Sequence, residues 1–291
     1  MLSAAGLLLG LLRQHPELRP SPTRPLPLWT EEDESMDIMH GVGLAASSKP
    51  SRAAHDGATG AETTREGRCP AATRLAKAQL SRWRPKPEVW LKLSNLFGGA
   101  TMARLHTTGI ADALYARACH GMPLPCGVAG GCVDGATQRA AWRDADAFYC
   151  ERFAGGEGGL AAAKLAMLPL LVQLTRRLEA AAAPSGHAAR LVLFSGHDTV
   201  VAPLLASLGG LSAPDACRWP PYASHLTFEL WEGDGGRARS LAVRVLFNGR
   251  AITRHLSGCA AEYCPLDDLR RTVAALTSEF TSACGVDTVP T

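Results

Sequence analysis

Aromatic residues are scarce in this chain, 6% of 291 residues, and no block of Lys or Arg alternates with them. Both features argue against a nucleic-acid partner, which needs a basic surface and stacking rings. Charge of one sign is also lacking: the net value is only +3, with the charges scattered along the chain. No apolar stretch approaches the roughly 20 residues of a membrane-spanning helix, so no membrane anchor is read here. No Gly-Lys-Ser/Thr accompanies the glycines of Gly155-Gly156-Glu157-Gly158-Gly159. That stretch therefore reads as a linker closing a helix, not as a phosphate cradle. No internal repeat is visible, and no motif calls for a cofactor.

Apolar residues, by contrast, make up 46% of the chain, enough for a sizeable core. Cysteine is abundant, with nine residues at 69, 119, 126, 132, 150, 217, 259, 264 and 284. That number fits disulfides and the secretory pathway better than a reducing compartment. An odd count leaves one thiol without a partner in this chain. Cys119, His120, Cys126 and Cys132 invite a zinc reading, but their spacing matches none of the usual C-x₂₋₄-C pairs. A disulfide-stapled loop is the favoured reading, and no metal site is assigned.

Read in order, the chain divides into four parts. Residues 1–12 contain Leu2–Leu12, which has the length of a signal-peptide core but no Lys or Arg before it. An interior helix is the alternative. Residues 13–68 carry five early prolines and then an Ala/Ser/Gly/Thr-rich stretch that cannot bury much, so an exposed insertion is expected. His40-Gly41 falls there and reads as a loop. Residues 69–159 form a helical region, with helices expected at Ala71–Arg82, Val89–Leu96, Thr107–Ala118 and Ala140–Phe153. Residues 160–291 begin with a long apolar helix, Leu160–Ala183. Alternating strands are expected at Ser224–Trp231 and Leu241–Phe247, with a turn at Gly233–Gly236. Asn248-Gly249 marks a hairpin into a strand at Ala251–Leu256. Cys259 and Cys264 are placed to bridge. Pro265 opens a last helix, with Leu269, Val273, Leu276 and Phe280 on one face. The pattern is that of an α/β protein.

The stretch around which the rest is organised is Arg190–Leu208, RLVLFSGHDTVVAPLLASL. Leu191–Phe194 reads as a buried strand, Ser195-Gly196 as a tight turn, and Thr199 onward as a helix. His197 and Asp198 fall at the turn, where ligands sit in α/β sheets. Free N–H groups at the helix start suit a phosphate. An equally open reading makes Asp198 or Thr199 a helix N-cap and His197 a turn residue.

Ser195-Gly196-His197-Asp198-Thr199 resembles the His-Asp motif of the histidine acid phosphatases. CHGMPLPCGVAGGCVDG, SGHDTVVAPLLASLG, TFELWEG, VRVLFNG and CPLDDL, in that order, resemble the 2-phosphoxylose phosphatase branch of that family. The resemblance runs from Cys69 to Cys284. It implies a phosphoglycerate-mutase-like α/β sheet flanked by helices, with a helical, disulfide-containing insert. It also implies a Golgi enzyme of glycosaminoglycan biosynthesis, acting on phosphorylated xylose in the proteoglycan linker. In such enzymes a histidine of an Arg-His-Gly motif attacks phosphorus and arginines hold the phosphate oxygens. By resemblance His197 contacts the phosphoryl group and Asp198 protonates the leaving alcohol. That last role requires surroundings that favour the protonated carboxyl when the alcohol departs.

The departure from the family pattern is equally informative. No Arg-His-Gly occurs in these 291 residues, and the family's second arginine motif is missing. Arg254-His255 is followed by Leu256 in an expected strand and is a poor substitute. Met1–Leu7 resembles the helix that follows the second arginine in relatives. The expectation is a truncated chain, starting past the phosphate-binding half and lacking the first, central strands of the sheet. It favours the interior-helix reading of Leu2–Leu12. A shortened chain of this kind is expected to be inactive alone. The alternative is a non-catalytic relative that binds a phosphate, a sugar or a partner.

Overall fold

A computed structural model describes residues 13–14, 69–127, 130–154, 156–183, 189–233 and 240–285. Residues 1–12, almost all of 13–68 including His40, and the turn through Asp234 to Gly236 lie outside the described residues.

Helix α1 spans Pro70–Arg82 and α2 spans Pro87–Phe97. Each begins on a proline, whose fixed φ suits a first helical turn that needs no N–H. Helix α3 runs Gly99–Cys119, two turns longer at its start than the sequence pattern suggests. Helix α4 is Gly135–Ala154 and α5 is Glu157–Ala182. The glycine-rich linker between them is shorter than expected, because Gly158 and Gly159 already belong to α5. A Cβ on Gly159 would lie 1.8 Å from the carbonyl oxygen of Arg152, so glycine is what lets α5 start against the end of α4. Helix α6 follows at Asp198–Ser207, and α7 at Leu266–Cys284 closes the described chain.

Four antiparallel strands form one small sheet. Strand β1, Leu226–Gly233, pairs along its length with β2, Ser240–Phe247. Asn248 (φ 49°) and Gly249 (φ 79°) make the expected two-residue turn into β3, Arg250–Ala251. Both residues are left-handed, as the hairpin twist requires. The expected strand stops there. Thr253–His255 forms a single 3₁₀ turn, because Thr253 is buried and its hydroxyl takes the Val245 N–H at 2.8 Å, in place of a backbone ladder. Strand β4, Cys264–Pro265, pairs with Ala242 and Val243 of β2 on the edge opposite β1, the edge that β3 also uses.

The main core lies between α5, α6, α7 and the inner face of the sheet. Leu168, Leu171, Leu205, Val243, Val245 and Phe280 are almost wholly buried in it. A second cluster joins α1, α4, α5 and α6 through Ala76, Trp83, Phe148, Tyr149, Phe153 and Ala202. A third joins α2, α3 and α4. Helix α5 is long and apolar enough to cross a membrane, which corrects the reading that no stretch has that length. It packs against α1, α6 and α7 as the central core helix.

Four disulfides are formed: Cys69–Cys284, Cys126–Cys132, Cys150–Cys217 and Cys259–Cys264. Cys119 is the one free thiol among the described residues. The bridge between Cys126 and Cys132 removes both thiolates from the zinc reading and staples the loop instead. The expected bridge between Cys259 and Cys264 is present.

Residues 191–194 overturn one expectation. They form no strand and pair with nothing in the sheet. Leu191 is 64% exposed, Leu193 49% and Phe194 37%. The apolar composition of the run favours burial but does not supply it. Burial of such a run needs neighbouring strands on both sides, and the described sheet supplies none there.

Candidate active site

Helix α6 begins immediately after His197. His197 itself is the N-cap, with φ −113° and ψ 172°, and its carbonyl accepts from Val200 and Val201 at 2.9 and 3.1 Å. Neither Asp198 nor Thr199 is the N-cap, which corrects that reading. His197 is exposed, whereas Asp198 and Thr199 are half-buried. The rest of α6 is nearly all apolar and buried, so the core fixes where its first turn points.

Three donors converge on the Asp198 carboxylate. The backbone N–H of Thr199 donates to Oδ1 at 2.9 Å. The indole Nε1–H of Trp219 donates to Oδ2 at 2.7 Å, and the Tyr149 hydroxyl donates to the same oxygen. Tyr149 comes from α4 and Trp219 from the segment between α6 and β1. Their rings stack, with centroids 6.0 Å apart and planes 11° from parallel. Tyr149 is buried, and burial together with the Asp198 charge pushes its phenol well above the ordinary tyrosine range. It is therefore a hydrogen donor at any physiological pH.

The two donors are themselves held. Cys150, next to Tyr149, is bridged to Cys217, two residues before Trp219. The Trp219 backbone N–H donates to Asp146 Oδ1 at 3.1 Å, and Arg218 lies 3.8 Å from the same oxygen. Burial pushes the Asp146 carboxyl above its usual value, against the pull of Arg218 and the Trp219 N–H. Below the pair, Arg152 is buried with its guanidinium 5.6 Å and 5.3 Å from the Phe148 and Phe153 ring centroids. Burial lowers its pKa, while the Tyr149 and Asp198 sites act in the opposite sense. From Trp219 a line of rings leads outward through Tyr115, 5.9 Å away, to the exposed Tyr222, whose hydroxyl donates to Asp112 at 3.0 Å.

Adjacent positions in the chain place His197 and Asp198 together at one helix start. Arg254 and His255 sit in the 3₁₀ turn after β3, where the His255 N–H donates to the Ile252 carbonyl at 2.8 Å and Arg254 is exposed. Tyr149, Arg152 and Trp219 were not found by reading the sequence. The usable signal was their proximity to Cys150 and Cys217, two cysteines whose pairing spacing alone does not reveal.

The architecture is thus that of an α/β protein with a histidine–aspartate pair at a helix N-terminus, a constellation suited to phosphate chemistry. This chain belongs to the histidine phosphatase superfamily (branch 2), whose pattern it matches over residues 70–248. It is 30% identical over 183 residues to Counting factor 60 of Dictyostelium discoideum, covering 62% of this chain and 39% of that one. It is 38% identical over 113 residues to 2-phosphoxylose phosphatase 1 of Mus musculus, covering 36% of this chain and 22% of that one. It is 30% identical over 96 residues to Lysophosphatidic acid phosphatase type 6 of Bos taurus, covering 33% of this chain and 20% of that one. The chain thus spans well under half the length of the curated relatives it matches.

Proposed function

We propose that this chain carries the proton-donating half of a phosphomonoesterase site. The observation that carries the reading is the Asp198 carboxylate, fixed by three donors beside an exposed histidine at the start of α6. In the reaction, a histidine nitrogen forms a bond to phosphorus as the bond from phosphorus to the alcohol oxygen breaks. Asp198 passes its proton to that departing oxygen, since an alkoxide leaves badly unless protonated. His197 contacts the phosphoryl group, with the α6 N-terminus favouring its negative charge.

The substrate in this reading is a phosphorylated sugar, the xylose of a proteoglycan linker. It rests on the likeness to 2-phosphoxylose phosphatase 1 and on the ring path to Tyr222, which offers an aromatic face to a sugar. The setting is the secretory pathway, at the Golgi, and the four disulfides fit an oxidising compartment. A lysophosphatidic acid, the lipid phosphate named by another relative, is the competing substrate class.

The 291 residues contain no Arg-His-Gly, so the attacking histidine and its arginines have no counterpart here. Phosphoryl transfer depends mostly on positioning and charge stabilisation, and losing both costs orders of magnitude. The purified chain is expected to release no phosphate from a phosphorylated xyloside or from lysophosphatidic acid. Clear turnover of either would overturn that part of the reading. Binding of phosphorylated xyloside without turnover, abolished by His197→Ala, would favour a non-catalytic relative.

A further inference from the structure

The geometry points to Tyr149 and Trp219 as positioning residues that decide which oxygen of Asp198 delivers the proton. A carboxyl group offers about four lone-pair sites, two on each oxygen. Oδ2 accepts from both the Tyr149 hydroxyl and the Trp219 indole, so both of its sites are filled. Among the described residues, Oδ1 accepts only the Thr199 N–H, which leaves it one site open. A proton on Asp198 therefore sits on Oδ1, while Oδ2 keeps carbonyl character and stays bound to the two rings.

The clamp is built before any substrate arrives. Tyr149 is buried in the cluster where α1, α4, α5 and α6 meet. Trp219 is stacked on it and tied to α4 twice more, through its own N–H to Asp146 and through the Cys150–Cys217 bridge. Neither ring can leave Oδ2 without disturbing the other. A carboxyl group with free rotation would present its proton in many directions. Here the rotation is stopped, which is the preorganisation a proton transfer needs. That consequence for catalysis rests on the reading of Asp198 as the proton donor, whereas the clamp itself does not.

Infrared spectroscopy of the whole chain tests the assignment without substrate. The carbonyl stretch of the protonated Asp198 is isolated as the difference between wild type and Asp198→Asn, at whatever pH that band is seen. An oxygen that accepts two hydrogen bonds gives a lowered stretch, so the band is expected to move upward in both Tyr149→Phe and Trp219→Phe. At neutral pH the Trp219 indole hydrogen is expected to exchange at least about tenfold faster in Asp198→Ala than in wild type, the factor a hydrogen bond to a charged group supports. In Asp198→Asn, which keeps an oxygen acceptor, the hydrogen is expected to stay protected. If one ring variant fails to fold, the other decides the question. A band that stays in place in a folded variant would put the proton on Oδ2 and overturn the assignment. Exchange in Asp198→Ala equal to wild type would overturn the clamp. Absence of phosphatase activity would touch neither result.

Discussion

Trp219 donates its indole N–H to Asp198 Oδ2 at 2.7 Å while its ring lies parallel to Tyr149, which donates to the same oxygen. Two donors sharing one acceptor are energetically coupled. Tyr149→Phe and Trp219→Phe are each expected to lower the unfolding free energy by about 1.5–3 kcal/mol, the range for hydrogen bonds to charged groups. The double variant is expected to lose less than the sum, by at least about 0.5 kcal/mol, as neighbours in one network do. Denaturant titration of the four proteins measures this. Strict additivity would show that the two bonds are independent.

The Cys150–Cys217 bridge closes a loop with a sequence separation of 67. In the chain-entropy account a loop of that size contributes about 4 kcal/mol, by restricting the unfolded chain. Cys150→Ser with Cys217→Ser is expected to cost a comparable amount and to loosen the indole of Trp219. Thermal unfolding, together with exchange of the Trp219 indole hydrogen, reads both effects. Loss of stability with an unchanged indole would separate the bridge from the clamp.

Tyr149 makes stability depend on alkaline pH. Its ordinary value is 10.0, and burial, then the Asp198 charge, raises it in the folded state. A group whose folded-state pKa is raised stabilises the fold below its unfolded value, and that contribution fades as pH climbs above it. Stability is therefore expected to fall as pH rises past about 10, and to fall less steeply in Tyr149→Phe. Denaturation midpoints measured from about pH 8 to pH 11 test the sign. A fall of the same slope in Tyr149→Phe would assign the effect to other groups.

Leu191, Val192, Leu193 and Phe194 stand exposed in a row outside the sheet. A row of exposed apolar residues with unpaired backbone is an association hazard. The isolated chain is expected to self-associate, and Leu191→Lys with Leu193→Lys to reduce this without touching the His197–Asp198 turn. Light scattering across a concentration series decides it. A monomer at all concentrations would argue that the run is harmless.

The same run shows how far the sequence could be read. Period-two alternation and an Asn-Gly turn located β1, β2 and their hairpin, because each signal is local. Helices α1, α2 and α7 were equally legible from prolines and apolar spacing. Leu191–Phe194 misled because an apolar tetrapeptide reports its preference for burial, while its actual burial depends on strands elsewhere. His197 and Asp198 were found because they are adjacent and recognisable as a pair. Tyr149 and Trp219 stand 70 positions apart as numbered, brought together by α4, the loop before β1 and one disulfide. Nothing local in either segment encodes that meeting.

The role of Asp198 as proton donor is tested most directly by its dependence on the leaving group. A chimera joins residues 69–291 of this chain, which include Tyr149, Cys150 and Trp219, to the remainder of the mouse 2-phosphoxylose phosphatase 1, which resembles it. Phosphate release is measured from a phosphorylated xyloside and from an electron-poor aryl phosphate, whose phenolate leaves without a proton. Asp198→Ala is expected to slow the xyloside by about 100-fold to 10,000-fold, the span of general acid catalysis, and the aryl phosphate by less than about 10-fold. Equal loss on both substrates, or no loss on the xyloside, would contradict a proton-donating Asp198.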